Sequence, residues 1–177
     1  RDYAALVTDH ARRADLVVTV SETVAAQVVQ RLDVDPARVV TCPNGAPDWT
    51  PRSGVPIDGP VVFVGTLEPR KNVGGLLDAW EALISGGLRI PLLLAGGAPA
   101  SAAPLLARLE RAPLHGVVRH VGYLQDADRR AFYDAARVLI LPSWDEGFGL
   151  PAVEAMAAGV PVVVSRRGAL PEVCGDA

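Results

Sequence analysis

The stretch SWDEGFGLPAVEAMAAGVPVV (residues 143–163) decides how this chain folds. The apolar run directly before it, residues 138–141, predicts a buried strand. Pro151 stands where a helix would begin, and Gly159-Val160-Pro161 would end that helix. A strand, a loop rich in small residues and a short helix, in this order, predict one unit of an open α/β sheet.

Two glutamates, Glu146 and Glu154, flank the start of the predicted helix with seven residues between them. Glu146 falls in the strand-to-helix loop and Glu154 in the first turns of the helix. Both therefore face the carboxyl end of the strands, where open α/β sheets bind their ligands. Because helix N-termini attract anions, carboxylates at this place predict hydroxyl groups held next to a phosphate. That combination describes a sugar nucleotide.

The composition of the 177 residues is that of a packed globular α/β protein, with 50% hydrophobic and 21% charged residues. The formal net charge of −3 gives no electrostatic case for binding nucleic acid. The two cysteines, Cys42 and Cys174, lie far apart without a metal-like spacing, which favours a reduced, cytoplasmic protein, with a disulfide bridge between them as the open alternative. Because no apolar stretch reaches the length of a membrane span and no signal peptide opens the chain, we expect a soluble protein.

Apolar spacing predicts helices and strands along most of the chain. Helical spacing covers residues 2–14 and 22–32, on either side of a short strand at 16–20. Residues 43–60 hold five prolines and three glycines, which is typical of an interdomain connector. Beyond the connector we predict strands at 61–64, 91–95, 117–121, 138–141 and 160–164, and helices near 73–84, 102–111 and 127–136.

The predicted architecture is a parallel, doubly wound, Rossmann-like α/β sheet. Continuous β-branched and leucine runs indicate strands covered on both faces, and helical crossovers imply parallel strands. We expect a fragment cut at both ends: residues 1–42 as the C-terminal part of one Rossmann-like domain, 43–60 as the connector, and 61–177 as a second such domain, incomplete at its C-terminus. The expectation of an incomplete C-terminus rests on Gly175-Asp176-Ala177, which directly follow a predicted strand and a turn.

Three parts of the sequence resemble, in the same order, the family 4 retaining glycosyltransferases of the GT-B fold. They are ADLVVTVSE with VVTCPNG in the first 45 residues, VGTLEPRKNVGGLLDAW from residue 64, and VGYLQDADRRAFYDAARVLILPSWDEGFGLPAVEAMAAGVPVVVSRRGALPEVCGDA from residue 121. The resemblance covers essentially the whole chain. It implies an acceptor domain ending in residues 1–42 and a nucleotide-sugar donor domain at 61–177.

The resemblance implies that a hexose passes from a nucleotide-diphosphate sugar to a glycan, lipid-linked or small-molecule acceptor, with no metal or other cofactor. The EPRKN loop (residues 68–72) is reminiscent of bacterial mannosyltransferases, which favours mannose. The longer protein could contact the inner face of the cell membrane peripherally through its N-terminal part. The fragment alone is expected to be inactive, because catalysis needs the cleft between two domains. A catalytically inactive nucleotide-sugar-binding or scaffold domain of the same fold is the alternative.

The resemblance gives the two glutamates separate tasks. Glu154 is similar to the family glutamate that holds both ribose hydroxyls, a task that suits a carboxylate. Glu146 is similar to the glutamate beside the transferred sugar. The alternatives are a carboxylate that is merely favourable near a helix N-terminus and a solvated loop carboxylate, respectively. Phe148, Gly149 and Leu150 are expected to offer backbone N–H groups to the sugar and phosphates, although Phe148 could also pack under the loop.

A second predicted site follows the first strand after the connector. Gly65 and Thr66 open a loop that presents Arg70 and Lys71 just before Asn72, a predicted helix cap. Two cations there would neutralise a departing diphosphate, although without the family resemblance they could equally be solvated surface charges. Many family members carry arginine where this chain has Thr66. Either Arg70 takes over that charge, or the phosphate contacts are fewer.

Two further residues carry predictions of their own. Glu172, in LPEV near the end of the chain, either faces the sugar-diphosphate pocket or stabilises a turn. Trp80 lies on the apolar face of a predicted helix and is expected in the core.

Overall fold

The strands form two separate parallel sheets. The computed structural model describes residues 2–175, so Arg1, Asp176 and Ala177, which the sequence assigns to the outer ends of the two predicted domains, lie outside the described residues. The smaller sheet pairs β1 (Val17–Thr19) with β2 (Val39–Thr41). It packs with α2 (Glu22–Leu32), which also contacts α1 (Tyr3–Arg13).

The larger sheet has five strands in the spatial order β5-β4-β3-β6-β7. All of its neighbouring strands run parallel. In chain order they are β3 (Val61–Val64), β4 (Leu92–Ala95), β5 (Val118–Gly122), β6 (Val138–Leu141) and β7 (Val162–Val164). The chain runs outward from β3 to β5 and then returns to place β6 on the other side of β3. This reversal is a topological switch point, where open α/β sheets bind their ligands.

Helices follow every strand of the larger sheet, as parallel pairing requires. They are α3 (Val73–Ser85), α4 (Ala103–Leu109), α5 (Asp126–Ala135), α6 (Leu150–Ala157) and α7 (Leu170–Cys174). Within residues 2–175, none of the helices combines the length and the apolar character that crossing a membrane would need.

The core of the larger sheet is built from strand residues buried on both faces. All four residues of β3 are buried, and Val62 and Phe63 are completely so. Trp80 on α3 is also buried, and its indole N–H donates to the carbonyl oxygen of Ile90 at 2.9 Å. The prediction that Trp80 belongs to the core is therefore confirmed.

Two elements differ from the sequence-based expectation. β2 has three residues and is stabilised by β1, more than twenty positions earlier, so no local pattern marks it. α7 replaces the turn that we expected after the last strand. It has five residues and carries Pro171 in its first turn, where the missing N–H costs nothing. So short a segment has too few positions to show helical periodicity.

The connector packs against the ends of two helices of the larger sheet. Arg52 donates to backbone carbonyl oxygens at the C-terminal ends of α5 and α6, those of Tyr133, Asp134, Ala136 and Gly159. Within residues 43–60 the structure has neither a helix nor a strand. Arg52 thus contributes to holding this irregular segment in place.

The first turn of α2 touches the part of the chain that carries the larger sheet. The carboxylate of Glu172 accepts hydrogen bonds from the backbone N–H groups of Glu22 (2.8 Å) and Thr23 (3.1 Å), and from the Thr23 hydroxyl (3.1 Å). Ser21 caps α2 and donates its hydroxyl proton to the carbonyl oxygen of Gly147 at 2.7 Å. The structure therefore replaces both sequence-based alternatives for Glu172, because its carboxylate caps a helix of the smaller unit.

Candidate functional site

Glu146 lies buried in the loop between β6 and α6, with 6% of its surface exposed. Lys71 Nζ donates to its Oε1 at 2.6 Å, and Ser143 Oγ donates to the same oxygen at 2.7 Å. Arg70 Nη1 donates to Oε2 at 3.1 Å. The loop after β3 and the loop after β6 therefore meet on one carboxylate at the switch point of the sheet.

The donors around Glu146 also decide its charge. Burial by itself raises the pKa of this carboxyl group, but the hydrogen bonds from Lys71, Ser143 and Arg70 and the charge of Lys71 outweigh burial, so its pKa lies below the ordinary 4.5. Glu146 is thus an ionised carboxylate at neutral pH, compensated by a buried lysine.

Lys71 and Arg70 differ in their exposure. The Lys71 side chain is only 10% exposed, and it passes beside Gly65, where an added Cβ would lie 3.5 Å from Lys71 Cε. Lys71 is therefore not a solvated surface charge. The Arg70 side chain is 44% exposed, and its Nη1 also donates to the carbonyl oxygen of Asp145 at 2.7 Å. Arg70 holds the glutamate loop and still reaches solvent.

Asn72 occupies the N-cap position of α3, but its side chain makes no capping hydrogen bond. Its backbone is left-handed, with φ at 54°, whereas a capping side chain requires an extended backbone. The amide Nδ2 instead donates to the carbonyl oxygen of Pro142 at 3.2 Å. The side chain therefore ties the β3 loop to the end of β6.

Glu154 lies on α6 and is held from α5. Its Oε1 accepts from Arg129 Nη1 at 2.6 Å, and its Oε2 accepts from the Tyr133 hydroxyl at 2.8 Å. Burial, and then the charge of Glu154, raise the pKa of the Tyr133 hydroxyl far above its ordinary value, so it stays a proton donor. Because a carboxylate has about four acceptor positions, these two hydrogen bonds leave two of them unused.

A pocket of about 460 Å³ opens at the carboxyl ends of β3, β4 and β5, beside α6. It contains three of the predicted binding residues, Gly65, Thr66 and Leu150. Arg129, which donates to Glu154, also lines the pocket, whereas Glu154 itself is not among the lining residues. The remaining lining residues are Val64, Gly96, Gly97, Tyr123, Leu124 and Pro151.

Close contacts between glycines hold the loops around this pocket. Gly65 N–H donates to the carbonyl oxygen of Ala95 at 2.8 Å, and Gly96 N–H donates to that of Gly122 at 2.7 Å. Gly96 has a φ of 138°, and a Cβ there would collide with the Gly65 carbonyl group. Gly96 therefore allows the loop after β4 to touch the loop after β3.

The N-terminus of α6 presents backbone donors. Its N-cap is Gly149, with φ at 97° in the left-handed region. Among the described residues, the N–H groups of Phe148, Gly149 and Leu150 donate no backbone hydrogen bond. Free N–H groups at a helix N-terminus are the groups that bind anionic oxygens. The expected donors are thus available, and Phe148 is half-buried.

Sequence reasoning missed three residues that touch the two glutamates. Ser143, Arg129 and Tyr133 carry no prediction of their own in the sequence analysis. A signal existed for the last two, because their spacing of four places both on one face of α5. Across residues 2–175, no three side chains of His, Cys, Asp or Glu gather as a metal site.

The larger sheet, with its polar loops gathered at the switch point, defines a Rossmann-like α/β domain. The sequence profile of the glycosyl transferases group 1 matches residues 59–177. The chain belongs to this family, which confirms the resemblance seen in the sequence.

Two curated relatives are mannosyltransferases by name. O-antigen chain mannosyltransferase B of Escherichia coli is 38% identical over 177 aligned residues, which take in 93% of this chain and 46% of that protein. MMP alpha-(1->4)-mannosyltransferase of Mycolicibacterium hassiacum is 33% identical over 168 residues, or 93% of this chain and 40% of that protein. The chain spans less than half the length of either relative.

A solved structure gives the same fold. Sucrose-phosphate synthase from Thermosynechococcus elongatus matches 96% of this chain and 46% of its own, with a TM-score of 0.77 and 27% sequence identity. The predicted Rossmann-like fold of the GT-B glycosyltransferases is confirmed.

Proposed function

We propose that the protein is a retaining hexosyltransferase that moves mannose from a nucleotide-diphosphate sugar to an acceptor. The observation that carries the proposal is the convergence of Lys71 and Arg70 on the buried carboxylate of Glu146 at the switch point. Family membership and two relatives named as mannosyltransferases support it.

The donor would lie across the carboxyl edge of the larger sheet. Its nucleoside would occupy the pocket beside Gly65 and Thr66, with the ribose hydroxyls on the two remaining acceptor positions of Glu154. Its diphosphate would lie between Lys71 and the free N–H groups at the start of α6. Glu146 would then be next to hydroxyls of the transferred sugar.

In this arrangement Lys71 and Arg70 stabilise the leaving group. As the bond from the anomeric carbon to the diphosphate oxygen breaks, negative charge grows on the leaving group, and fixed cations stabilise it. The exposed guanidinium of Arg70 supports the reading in which it replaces the family arginine absent at Thr66. The carboxylate of Glu146 is already engaged by Lys71 and Ser143, which favours stabilisation of positive charge over nucleophilic attack. Retention would then follow a front-face path.

The acceptor is proposed to be a glycan, because one relative is named for the O-antigen chain. A lipid-linked acceptor would bring the protein to the inner face of the cell membrane as a peripheral protein. No cofactor or metal is proposed besides the donor, because Lys71 and Arg70 can supply the positive charge that the leaving group needs.

The test is transfer from a radiolabelled donor by the intact protein. Lys71→Met should lower kcat by about a hundredfold or more, as loss of one fixed electrostatic contact typically does. Glu154→Ala should instead raise the donor KM by about tenfold or more, because it removes charge-assisted bonds to the bound donor. Arg89→Met, an exposed position before β4 at the opposite edge of the sheet, controls for the loss of a positive charge. Donor binding without any labelled product would instead identify an inactive binding domain.

A further inference from the structure

Arg129 connects Glu154 to the pocket. It lies in the first turns of α5, donates from Nη1 to Glu154 at 2.6 Å, and has 28% of its side chain exposed. Among the described residues that line the pocket, it is the charged one. A cation at the wall of a largely apolar and glycine-rich pocket can donate charge-assisted hydrogen bonds to an acceptor atom that enters.

The guanidinium of Arg129 has hydrogen-bonding capacity left. Its Nε is buried without a hydrogen-bond partner, although Asp126 Oδ1 lies 3.2 Å away. Its Nη2 makes no hydrogen bond within residues 2–175. The five N–H groups of a guanidinium form a rigid, planar fork. Fixing Nη1 on Glu154 therefore fixes where the other terminal N–H groups point.

We propose that Arg129 is a nucleoside-binding residue of the donor site. With Nη1 it holds Glu154 in place for the ribose, and with its remaining terminal N–H groups it donates to an acceptor atom of the base. The inference rests on the proposed function, because it requires a nucleotide in the pocket. It adds a residue that the family resemblance did not assign.

Glu154 can serve Arg129 and the ribose at the same time. Arg129 and Tyr133 each take one acceptor position, one on either carboxylate oxygen. About two positions remain, one on each oxygen, which matches the two hydroxyls of a ribose. The donor therefore joins the existing pair, and Arg129 does not have to leave when the ribose arrives.

The experiment is calorimetric titration of the intact protein with GDP, UDP, ADP and inorganic pyrophosphate. Arg129→Met should raise the Kd of every nucleoside diphosphate that binds by about ten- to a hundredfold, as the loss of hydrogen bonds to a charged group does. The Kd of pyrophosphate should not change, because pyrophosphate has no nucleoside. Arg89→Met should leave both values unchanged. Equal weakening of pyrophosphate would show that Arg129 acts on phosphate charge and would overturn the inference.

A second variant guards against misfolding when Glu154 loses its partner. Arg129→Lys keeps a cation for Glu154 but lacks the fork, so its nucleotide Kd should still rise while its thermal unfolding matches that of the unaltered protein. The double variant Arg129→Met with Glu154→Ala should bind nucleotide more weakly than Glu154→Ala alone. If the two bind equally, Arg129 acts only through Glu154, and the direct contact is refuted.

Two further results separate this inference from the proposed function. If the unaltered protein binds no nucleoside diphosphate, both fail together. If it binds one, and Arg129→Met binds equally well or more tightly, only the role of Arg129 fails.

Discussion

Glu146 and Lys71 form a buried ion pair between residues 75 positions apart in the sequence. Their side chains are 6% and 10% exposed, so without Glu146 the Lys71 charge would be buried and uncompensated, and without Lys71 the Glu146 carboxylate would keep only Arg70 as an ionic partner. Burial of both charges costs solvation free energy, which their short contact and the Ser143 hydroxyl offset. The pair therefore holds two functional loops in register, and each partner depends on the other.

Removal of one partner should destabilise the protein. Lys71→Met is expected to lower the free energy of unfolding by about 3 kcal/mol, the low end for a broken buried pair, because Glu146 stays buried and keeps only the half-exposed Arg70 as an ionic partner. The double variant Lys71→Met with Glu146→Gln should recover part of that loss, since neither buried charge remains. Urea unfolding measures both effects. A loss below about 1 kcal/mol in the single variant would mean that water reaches the pair and screens it.

The same pair should make the stability depend on pH. The pKa of Glu146 is lowered on folding, so its contribution is complete above the ordinary value of 4.5 and is lost as the pH falls through the lower, folded value. Glu146→Gln should therefore flatten the fall in stability below about pH 4.5. Glu110→Gln, an exposed glutamate outside the site, is the control and should leave the slope unchanged. Parallel slopes in all three proteins would contradict the assignment.

The site residues show where sequence reasoning stops. Glu146 and Lys71 were found singly, through their loops and the family resemblance, but their pairing arises only when β3 and β6 become neighbours. Arg129 lies on a helix whose charged residues otherwise look like a solvated face. Its partner Glu154 is 25 positions away on another helix, and no local pattern announces such a contact.

At the scale of elements, the segment after β7 supports the glutamate loop. Gly168, with φ at 56°, lies against the backbone of Glu146, and Ala169 N–H donates to the Glu146 carbonyl oxygen at 2.8 Å. A Cβ on Gly168 would lie 2.5 Å from both the nitrogen and the oxygen of Glu146. The loop after β7 therefore holds Glu146, which lies in the loop after the neighbouring strand β6.

Gly168→Ala should test this support. We expect a loss of about 1–3 kcal/mol of stability from strain and overpacking, together with weaker donor binding, because Glu146 must move. Gly116→Ala is a matched control, since Gly116 also has a positive φ, 76°, but nothing lies within 4 Å of its Cβ position. It should lose stability through strain and leave the donor Kd unchanged. Unfolding curves and donor titrations on both variants decide the matter.

The elements that sequence reasoning recovered are those with a strong local pattern. The observed bounds of α2, β3 and β6 agree with the prediction residue for residue. β2 and α7 escaped because three and five residues carry no readable period, and both depend on contacts made elsewhere. The prolines and glycines of residues 43–60 predicted an irregular segment, which the structure has, but no pattern predicted its attachment through Arg52, because the acceptors are backbone carbonyl groups.

At the scale of the whole molecule, the hydrogen bonds from α2 to Glu172 connect the part of the chain with the smaller sheet to the part with the larger sheet. Burial alone would raise the pKa of Glu172, but the N–H groups of Glu22 and Thr23 and the Thr23 hydroxyl lower it below the ordinary value. The contact should therefore persist at neutral pH and weaken in acid, as this carboxylate gains a proton.

Glu172→Ala should expose the first turn of α2. The N–H groups of Glu22 and Thr23 lose their acceptor, so their hydrogen exchange should accelerate at neutral pH. The rest of the smaller sheet should exchange as before. Glu110→Ala serves as the control for removal of an exposed glutamate. Unchanged exchange at both N–H groups would mean that this contact does not persist in solution.

The hydrogen bond from Ser21 to Gly147 has a practical consequence for dissecting this protein. A truncated version starting after the connector would keep both glutamates, Lys71 and the pocket. It would nevertheless leave the Gly147 carbonyl group, one residue from Glu146, without the donor that supports it from 126 positions away. Weak nucleotide affinity in such a truncation would then result from the loss of this hydrogen bond and would not argue against the proposed donor site. A loss of donor binding on substitution of Ser21 should likewise be attributed to disturbance of the loop between β6 and α6, which carries Glu146.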